Sequence, residues 1–590
     1  MLHKAIISFI AVLAATTVFA VEQPEPAVTK ASYIVQADSY VVAKSAVVGV
    51  GGAITHELRI INAVGATLSA DQLSELSKDS RLKIQKDRSA GVAAATLLSS
   101  TNLSRTTADA GDGPSSYLST IVGAADLHRK GLTGEGVTVA VVDTGFYQTD
   151  DILKDRGGQH RVLAQYDAIA SQAFSAVDEF DDGAFEFKDT VNSGVGSDGN
   201  GHGSHVTSII ANSERDQNGN YLGVAPGVNL VSVKAFDSNG NGTYLDVIRG
   251  LDWILTNANK YKIRVANLSF SAEPQSHYWD DPINQAVMRL WSEGIVIVAS
   301  AGNRGPDAMT IGVPGNVPYV ITVGSMNDNG TPLHSGDDTL SSFSSAGPTV
   351  EGFVKPEVVA PGNSVIGLMD NGIHKITTDH PEFMFSYGDS DEYFAMSGTS
   401  QSAAVVTGVV ALMLQSNGQL SPDEVKCKLM SGARPAVNDN GELAYSVFQQ
   451  GAGLVNAYAA MRSQETGCAN AGMDLQADLA GKLHYGGPAN VDEDGNYYLM
   501  NMDGYLWTNN SLGTEGYLWT NGYLWTNGYL WTNAYLWTNG DVGTNGYLWT
   551  NGYLWTNGYL WTNGYLWTNG YLWVNYEEGK AGINTWVQPE

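Results

Sequence analysis

Four short stretches of the chain carry residues able to do chemistry. Gly398-Thr399-Ser400 leads into Gln401-Ser402-Ala403-Ala404-Val405-Val406 and an apolar run ending at Leu414, the pattern of a tight turn feeding a buried helix. A serine there meets unpaired N–H groups and the positive end of the helix dipole, which suit a nucleophilic hydroxyl and the oxyanion its attack creates. Read locally, the same serine is a plain N-cap. Asp143-Thr144-Gly145 closes an apolar run, and an aspartate there is either a turn former or a buried carboxylate that orients an imidazole. Asp198-Gly199-Asn200-Gly201-His202-Gly203-Ser204-His205 supplies imidazoles just before a helix predicted over Val206–Asn212. Two histidines three apart also suit a metal, but no third soft ligand accompanies them. His202, bracketed by glycines that allow close approach, is predicted as the base and His205 as its packed neighbour. Asn303, in Ala301-Gly302-Asn303-Arg304-Gly305, is a turn residue or an amide donor to a developing oxyanion.

The elements that must position these residues are legible from about residue 116 onward. Val137–Val142, Leu230–Phe236, Val265–Phe270 and Ile295–Ser300 are continuous apolar runs, as expected of strands buried on both faces of a parallel sheet. Helix-length segments such as Tyr244–Asn257 and Pro282–Ser292 separate them, so the fold class is α/β with helices covering a mostly parallel sheet. Sites in such sheets lie beyond the carboxyl ends of the strands, where Asp143 and Asn303 stand.

The motifs VAVVDTG, NGHGSHV, ASAGN and GTSQSA, in that order, resemble those of the subtilisin-like serine proteases, over about residues 116–465. The resemblance implies that Asp143 orients His202, that His202 takes the proton of Ser400, and that Asn303 and the Ser400 amide bind the oxyanion. It also implies a substrate cleft between two edges, Gly240-Asn241-Gly242-Thr243-Tyr244 and Leu268-Ser269-Phe270-Ser271-Ala272, with Ala301 and Gly302 beside it. Ser271 and Ala272 replace two glycines common at the first pocket and are expected to narrow it; Arg304 is expected at its rim, biasing it toward polar or acidic side chains. Ala404 stands where the family has proline, and is expected to let the first turn of the helix shift and to alter rate and acyl-transfer preference. No cofactor is required for this chemistry. A structural calcium is an open alternative at Asp216–Asn220 and in the acidic insertion Gln148–Ser197, each of which also reads as a solvated loop. Asp237–Gly242 imitates half a calcium loop but has Ile248 where a bidentate glutamate belongs.

Bulk properties agree with export. Of 590 residues, 61 are acidic and 32 basic, a formal net charge of −29 that argues against a nucleic-acid partner. Lys4, the apolar run Ala5–Ala15 and Val18-Phe19-Ala20 make a secretory signal peptide cut after Ala20, too short for a transmembrane span. Cys427 and Cys468 are a disulfide in an oxidising compartment, or two inert thiols. Residues 21–110 hold a small unit and a linker, which the resemblance implies is an inhibitory, fold-assisting propeptide cut by Ser400 itself between about Ala90 and Ser116. Its expected elements are a strand over Ser32–Val42, a helix over Thr55–Ala63, a connector at Val64–Thr67, and a second helix capped by Ser69 and Gln72. The catalytic unit is placed at 111–470 and a linker at 471–503. From Gly504 to Asn575 run twelve hexamers, ten containing Tyr-Leu-Trp, followed by a short end at 576–590. Their period suits a parallel solenoid better than a hairpin meander. Such a tail fits a stalk, a polysaccharide-binding surface or a self-associating segment, and equally a repeat without a ligand.

Overall fold

The computed structural model describes residues 30–88 and 117–499, apart from 147–148, 156, 176–197, 217–218, 332–333, 371, 388–389, 439–442 and 493–494, together with short strands between 513 and 583. The expected signal peptide, the expected linker after Arg88, and Asp178, Glu179, Asp181 and Asp182 of the acidic stretch therefore lie outside the described residues.

The N-terminal unit is a four-stranded antiparallel sheet in the order β2-β3-β1-β4, from β1 (Lys30–Gln36), β2 (Ala53–Leu58), β3 (Ala63–Ser69) and β4 (Lys83–Lys86). The sequence reading of this unit needs three corrections. Strand β1 stops at Gln36, and Tyr40–Gly49 is a helix capped by Ser39. The segment expected as a helix from Thr55 is β2 plus one 3₁₀ turn, Arg59–Ile61, and the expected connector at Val64–Thr67 lies within β3. Pairing decides this: β2 alternates exposed and half-buried residues against β3, and the Ile60 amide is held by Asp252 Oδ1 at 2.6 Å. The capping box is as read, with Ser69 and Gln72 bonded reciprocally at the start of Ala70–Leu76.

The central sheet runs in the order β13-β12-β11-β9-β5-β8-β6-β7, with β14 paired to β12. Its members are β5 (Thr138–Asp143), β6 (Val162–Asp167), β7 (Gln172–Ser175), β8 (Asn229–Lys234) and β9 (Ile263–Leu268). A short edge segment, β10 (Phe270–Ala272), lies outside the main sheet. The rest of the sheet is β11 (Val296–Ser300), β12 (Ile321–Asn327), β13 (Thr339–Leu340) and β14 (Val358–Pro361). All pairings are parallel except those of the edge strands β7 and β13. The β5 side chains are buried throughout, as both-face coverage requires.

The helix Thr399–Ser416 lies against β9, β11, β12 and β14 and is buried on every side from Thr399 to Leu414, which is why its sequence lacks a polar stripe. The helices Tyr244–Tyr261 and Pro282–Ser292 pack on each other and carry the N-terminal unit. Gln36 meets Gln285 at 2.7 Å, His56 meets Asp246 at 3.3 Å, and Lys83 meets Asp280 at 2.5 Å across that junction.

Cys427 and Cys468 are joined, closing a loop of 41 residues. The segment expected as a linker after residue 470 is instead anchored to the sheet domain: Asp478 is buried and accepts from the hydroxyls of Tyr278 (2.6 Å) and Tyr319 (2.9 Å). Among the described residues no helix is long and apolar enough to cross a membrane. In the repeat tail, Leu-Trp-Thr strands pair in parallel with strands eighteen positions on, such as 518–520 with 536–538. Three hexamers therefore complete one coil, and three sheets result. The two degenerate hexamers keep the register, with Val542 paired to Leu524 and Leu560 and Gly513 paired to Trp531.

Candidate active site

Asp143 is the last residue of β5, Ser269 follows the last residue of β9, and Asn303 stands three residues beyond β11. These three strands are neighbours, so the parallel register alone gathers the three side chains at one edge. His202 opens the helix His202–Ala211, four residues earlier than the sequence suggested. The reason is Asp198: its Oδ1 accepts the amides of Asn200 (3.0 Å) and Gly201 (2.8 Å), and its Oδ2 accepts the amide (2.8 Å) and hydroxyl (2.7 Å) of Ser204. The carboxylate satisfies the unpaired donors of the first turn and starts the helix at the histidine. Gly203 is required by close approach, because a Cβ there would lie 2.1 Å from the Gly145 carbonyl oxygen.

The buried His202 Nδ1 meets Asp143 Oδ1 at 2.8 Å. The same oxygen accepts the Thr144 amide at 2.8 Å, and Thr144 Oγ1 accepts the Gly203 amide at 2.9 Å. Burial pushes the Asp143 carboxyl up, and His202 and the Thr144 amide pull it back. With Nδ1 committed, the imidazole presents Nε2, which is buried and has no partner among the described residues. The next turn of this helix touches the start of the Thr399–Ser416 helix, His205 Nδ1 lying 3.5 Å from Gln401 Nε2. The Ser400 hydroxyl donates to the Ser269 carbonyl at 3.1 Å, so its bond to the imidazole is not formed in this arrangement. Serine–histidine bonds of this kind are often loose without substrate.

Asn303 is fixed by Thr399, whose amide (3.0 Å) and hydroxyl (2.9 Å) both donate to its Oδ1. That orientation turns its NH₂ toward Gly398, where a Cβ would lie 3.2 Å from Nδ2 and 2.7 Å from Gln401 Oε1. The Gly302 amide also donates to Thr399 Oγ1, at 3.1 Å. Thr399 thus ties Asn303 to the helix that carries Ser400. Sequence reasoning missed Thr399, Asp198 and His374. Asp198 was readable from its place before an Asn-Gly turn. His374 was not: it arrives on the segment between Leu368 and Met396, buried, with Nε2 3.4 Å from Ser204 Oγ. Burial works against the Asp198 carboxylate, but His374, the Gly201 amide and Ser204 outweigh it and hold the group below its usual range.

The expected substrate residues divide in two. Ser269 and Gly302 touch the amino end of the Ser400 helix, Ser269 Oγ donating to the Ser400 carbonyl at 3.0 Å and the Gly302 amide to Thr399 Oγ1, with Phe270, Ser271 and Ala301 next to them in the chain. Gly240, Asn241 and Gly242 lie in the loop between β8 and the helix that Tyr244 opens, beside the histidine turn, where Asn200 Nδ2 donates to the Ser238 carbonyl at 3.1 Å. Ser271 Oγ reaches between two glycines: a Cβ on Gly312 would lie 1.9 Å from it and one on Gly302 3.1 Å. Arg304, expected at the rim of the first pocket, pairs with Glu273 at 3.3 Å. Asp237 Oδ1 accepts the amides of Asn239 (2.8 Å) and Asn241 (2.9 Å), and Asp216 holds Asn220 in the same way. Among the described residues no three His, Cys, Asp or Glu side chains are grouped to hold a metal ion. Ala404 needs one correction. The helix begins at Thr399, so residue 404 lies in the second turn, where its N–H can bond the Ser400 carbonyl and a proline would remove that donor. Alanine therefore firms this turn.

The fold and site are those of a subtilisin-like serine protease, and the chain belongs to the subtilase family, whose model matches residues 134–453. It is 37% identical over 343 residues to serine protease AprX of Bacillus subtilis (strain 168), covering 57% of this chain and 68% of that one. It is 28% identical over 413 residues to subtilisin E of the same organism, covering 70% and 83%. The structure of fervidolysin from Fervidobacterium pennivorans, a keratinolytic enzyme related to subtilisin, has the same fold, with a TM-score of 0.52 and 23% identity. That likeness covers 75% of this chain and 62% of fervidolysin. The chain is a serine endopeptidase of this family and acts on polypeptides.

His205 offers a direct check on the packing behind the site. Burial drives its pKa down to about 3, and its Nε2 sits 3.1 Å from both the Val365 and Phe394 carbonyls. Between about pH 6.5 and 3 the unfolded chain binds a proton that the folded chain refuses, so stability falls as pH falls through that window. The slope from this group is at most about 1.4 kcal/mol per pH unit. Urea titrations from pH 7 to 4 are expected to show a shallower loss for His205→Gln than for the native protein.

Proposed function

We propose that this chain is an exported serine endopeptidase that cuts polypeptides through an acyl-enzyme on Ser400. His202 takes the hydroxyl proton as Ser400 Oγ bonds to the substrate carbonyl carbon, then returns it to the leaving amine; water repeats the cycle on the ester. Asp143 keeps His202 in the productive tautomer and stabilises the imidazolium. Asn303 and the Ser400 amide receive the oxyanion. The observation that carries this reading is the buried Asp143–His202 bond, with Nε2 left open beside the Ser400 helix.

The substrate lies between the 240–244 loop and β10, and the Ser271 hydroxyl limits the first pocket to small side chains. The N-terminal unit, docked on the Tyr244 and Pro282 helices, is a propeptide removed by the enzyme itself after export. The repeat tail is a cell-surface or self-association element that takes no part in the chemistry, with polysaccharide as the alternative ligand. Calcium has no part in the reaction.

Two substitutions test the assignment. Asn303→Ala is expected to lower kcat about 100-fold, roughly 3 kcal/mol of transition-state stabilisation, with little change in KM. A large rise in KM at unchanged kcat would remove Asn303 from the oxyanion site. Ser271→Gly is expected to raise kcat/KM about tenfold for peptides with a large residue before the cut, relative to those with alanine. An unchanged preference would show that Ser271 does not shape the pocket.

A further inference from the structure

We propose that the C-terminal segment Ala581–Ile583 is the chain's own occupant of the substrate cleft and competes there with polypeptide substrates. The inference rests on the endopeptidase reading for its consequence, and on backbone pairing for its geometry. Strand β10 has two edges. At Ala272 both backbone groups go to Val313, the N–H donating to the Val313 carbonyl (2.9 Å) and the carbonyl accepting the Val313 N–H (2.8 Å). Backbone groups alternate sides along a strand, so Ser271 turns its N–H and C=O to the opposite edge. That edge is occupied: Phe270, Ser271 and Ala272 pair antiparallel with Ile583, Gly582 and Ala581.

The occupied edge begins at the nucleophile. Residue 269, immediately before β10, accepts the Ser400 hydroxyl on its carbonyl at 3.1 Å and donates its own hydroxyl to the Ser400 carbonyl at 3.0 Å. Because the pairing is antiparallel, the C-terminal strand runs from Ala581 to Ile583 as β10 runs back from Ala272 to Phe270, so it advances toward Ser400. An extended chain added to a sheet edge is held by main-chain bonds, with side-chain fit deciding which chain enters. Here the residue opposite Ser271, whose hydroxyl already fills the space between Gly302 and Gly312, is glycine. Another small residue, Ala581, precedes it. The opposite wall of the cleft is touched by the end of the N-terminal unit, since the Tyr244 amide donates to the Arg88 carbonyl at 3.2 Å. The N-terminal unit and the C-terminal segment thus both reach the cleft, and removal of the N-terminal unit alone leaves the β10 edge covered.

The test uses the matured enzyme in three forms: the full chain, a chain ending at Lys580, and Gly582→Pro, which removes the N–H that pairs with Ser271. A tethered competitor raises KM without touching the chemical step, so both variants are expected to show KM lowered about tenfold with kcat within about twofold. A synthetic peptide of residues 579–586 is expected to inhibit the shortened enzyme competitively, whether it is released intact or cut. Equal KM in all three forms, with no competition by the peptide, would overturn the proposal. Hydrogen exchange over residues 268–274 reads the pairing without turnover: protection lost in both variants supports it, and unchanged protection refutes it. Absence of hydrolysis in every form would count against the endopeptidase reading, while the exchange result still decides the strand.

Discussion

The site depends on one constraint, the parallel register of β5, β9 and β11. Adjacent parallel strands end at the same edge, so Asp143, Ser269 and Asn303 converge there. The buried helix Thr399–Ser416 is then laid across that sheet, and its amino end brings Ser400 and Thr399 to the same edge. Had any of the three strands slipped by one residue, its terminal side chain would point to the other face. The apolar runs that look featureless in the sequence are what fix the spacing of the reacting atoms.

Around that frame the polar groups are tied to one another rather than to water. Asp143 holds His202, Asp198 caps the turn that presents it, and His374 and Ser204 stand behind Asp198. Thr399 joins Asn303 to the helix that carries Ser400. Buried polar groups are costly when unpaired, so a network this complete leaves few alternatives for its members. Within this network, as far as the described residues go, His202 Nε2 and Asp143 Oδ2 are left without partners, and Nε2 is the atom that faces the Ser400 helix. Fixing everything except the transferring atom is the physical content of preorganisation.

How much of this could be read from residues alone varied with the range of the interaction. The four core strands and the Pro282–Ser292 helix were legible because burial on both faces, or a proline after an N-capping aspartate, leaves a local mark. Asp143, His202, Asn303 and Ser400 stand out as candidates because each sits at a strand end or in a glycine-rich turn. The helix expected from Thr55 was misread because Leu58 and Ile61 mimic a helical face, whereas antiparallel pairing with β3 and docking on Asp252 decide the segment. His374 left no mark, since its partners Ser204 and Asp198 lie about 170 residues away. The pairing of residue 582 with residue 271 is of the same kind, a contact no local pattern announces.

The claim that organises everything else is that Ser400 is the nucleophile activated by His202. Intact mass and peptide mapping of exported protein treated with a serine-directed phosphonate measure it most directly. A single adduct is expected, on the peptide containing Ser400, with loss of both the adduct and N-terminal maturation in Ser400→Ala. Labelling of another serine, or a Ser400→Ala chain that matures and labels as the native one does, would contradict the account.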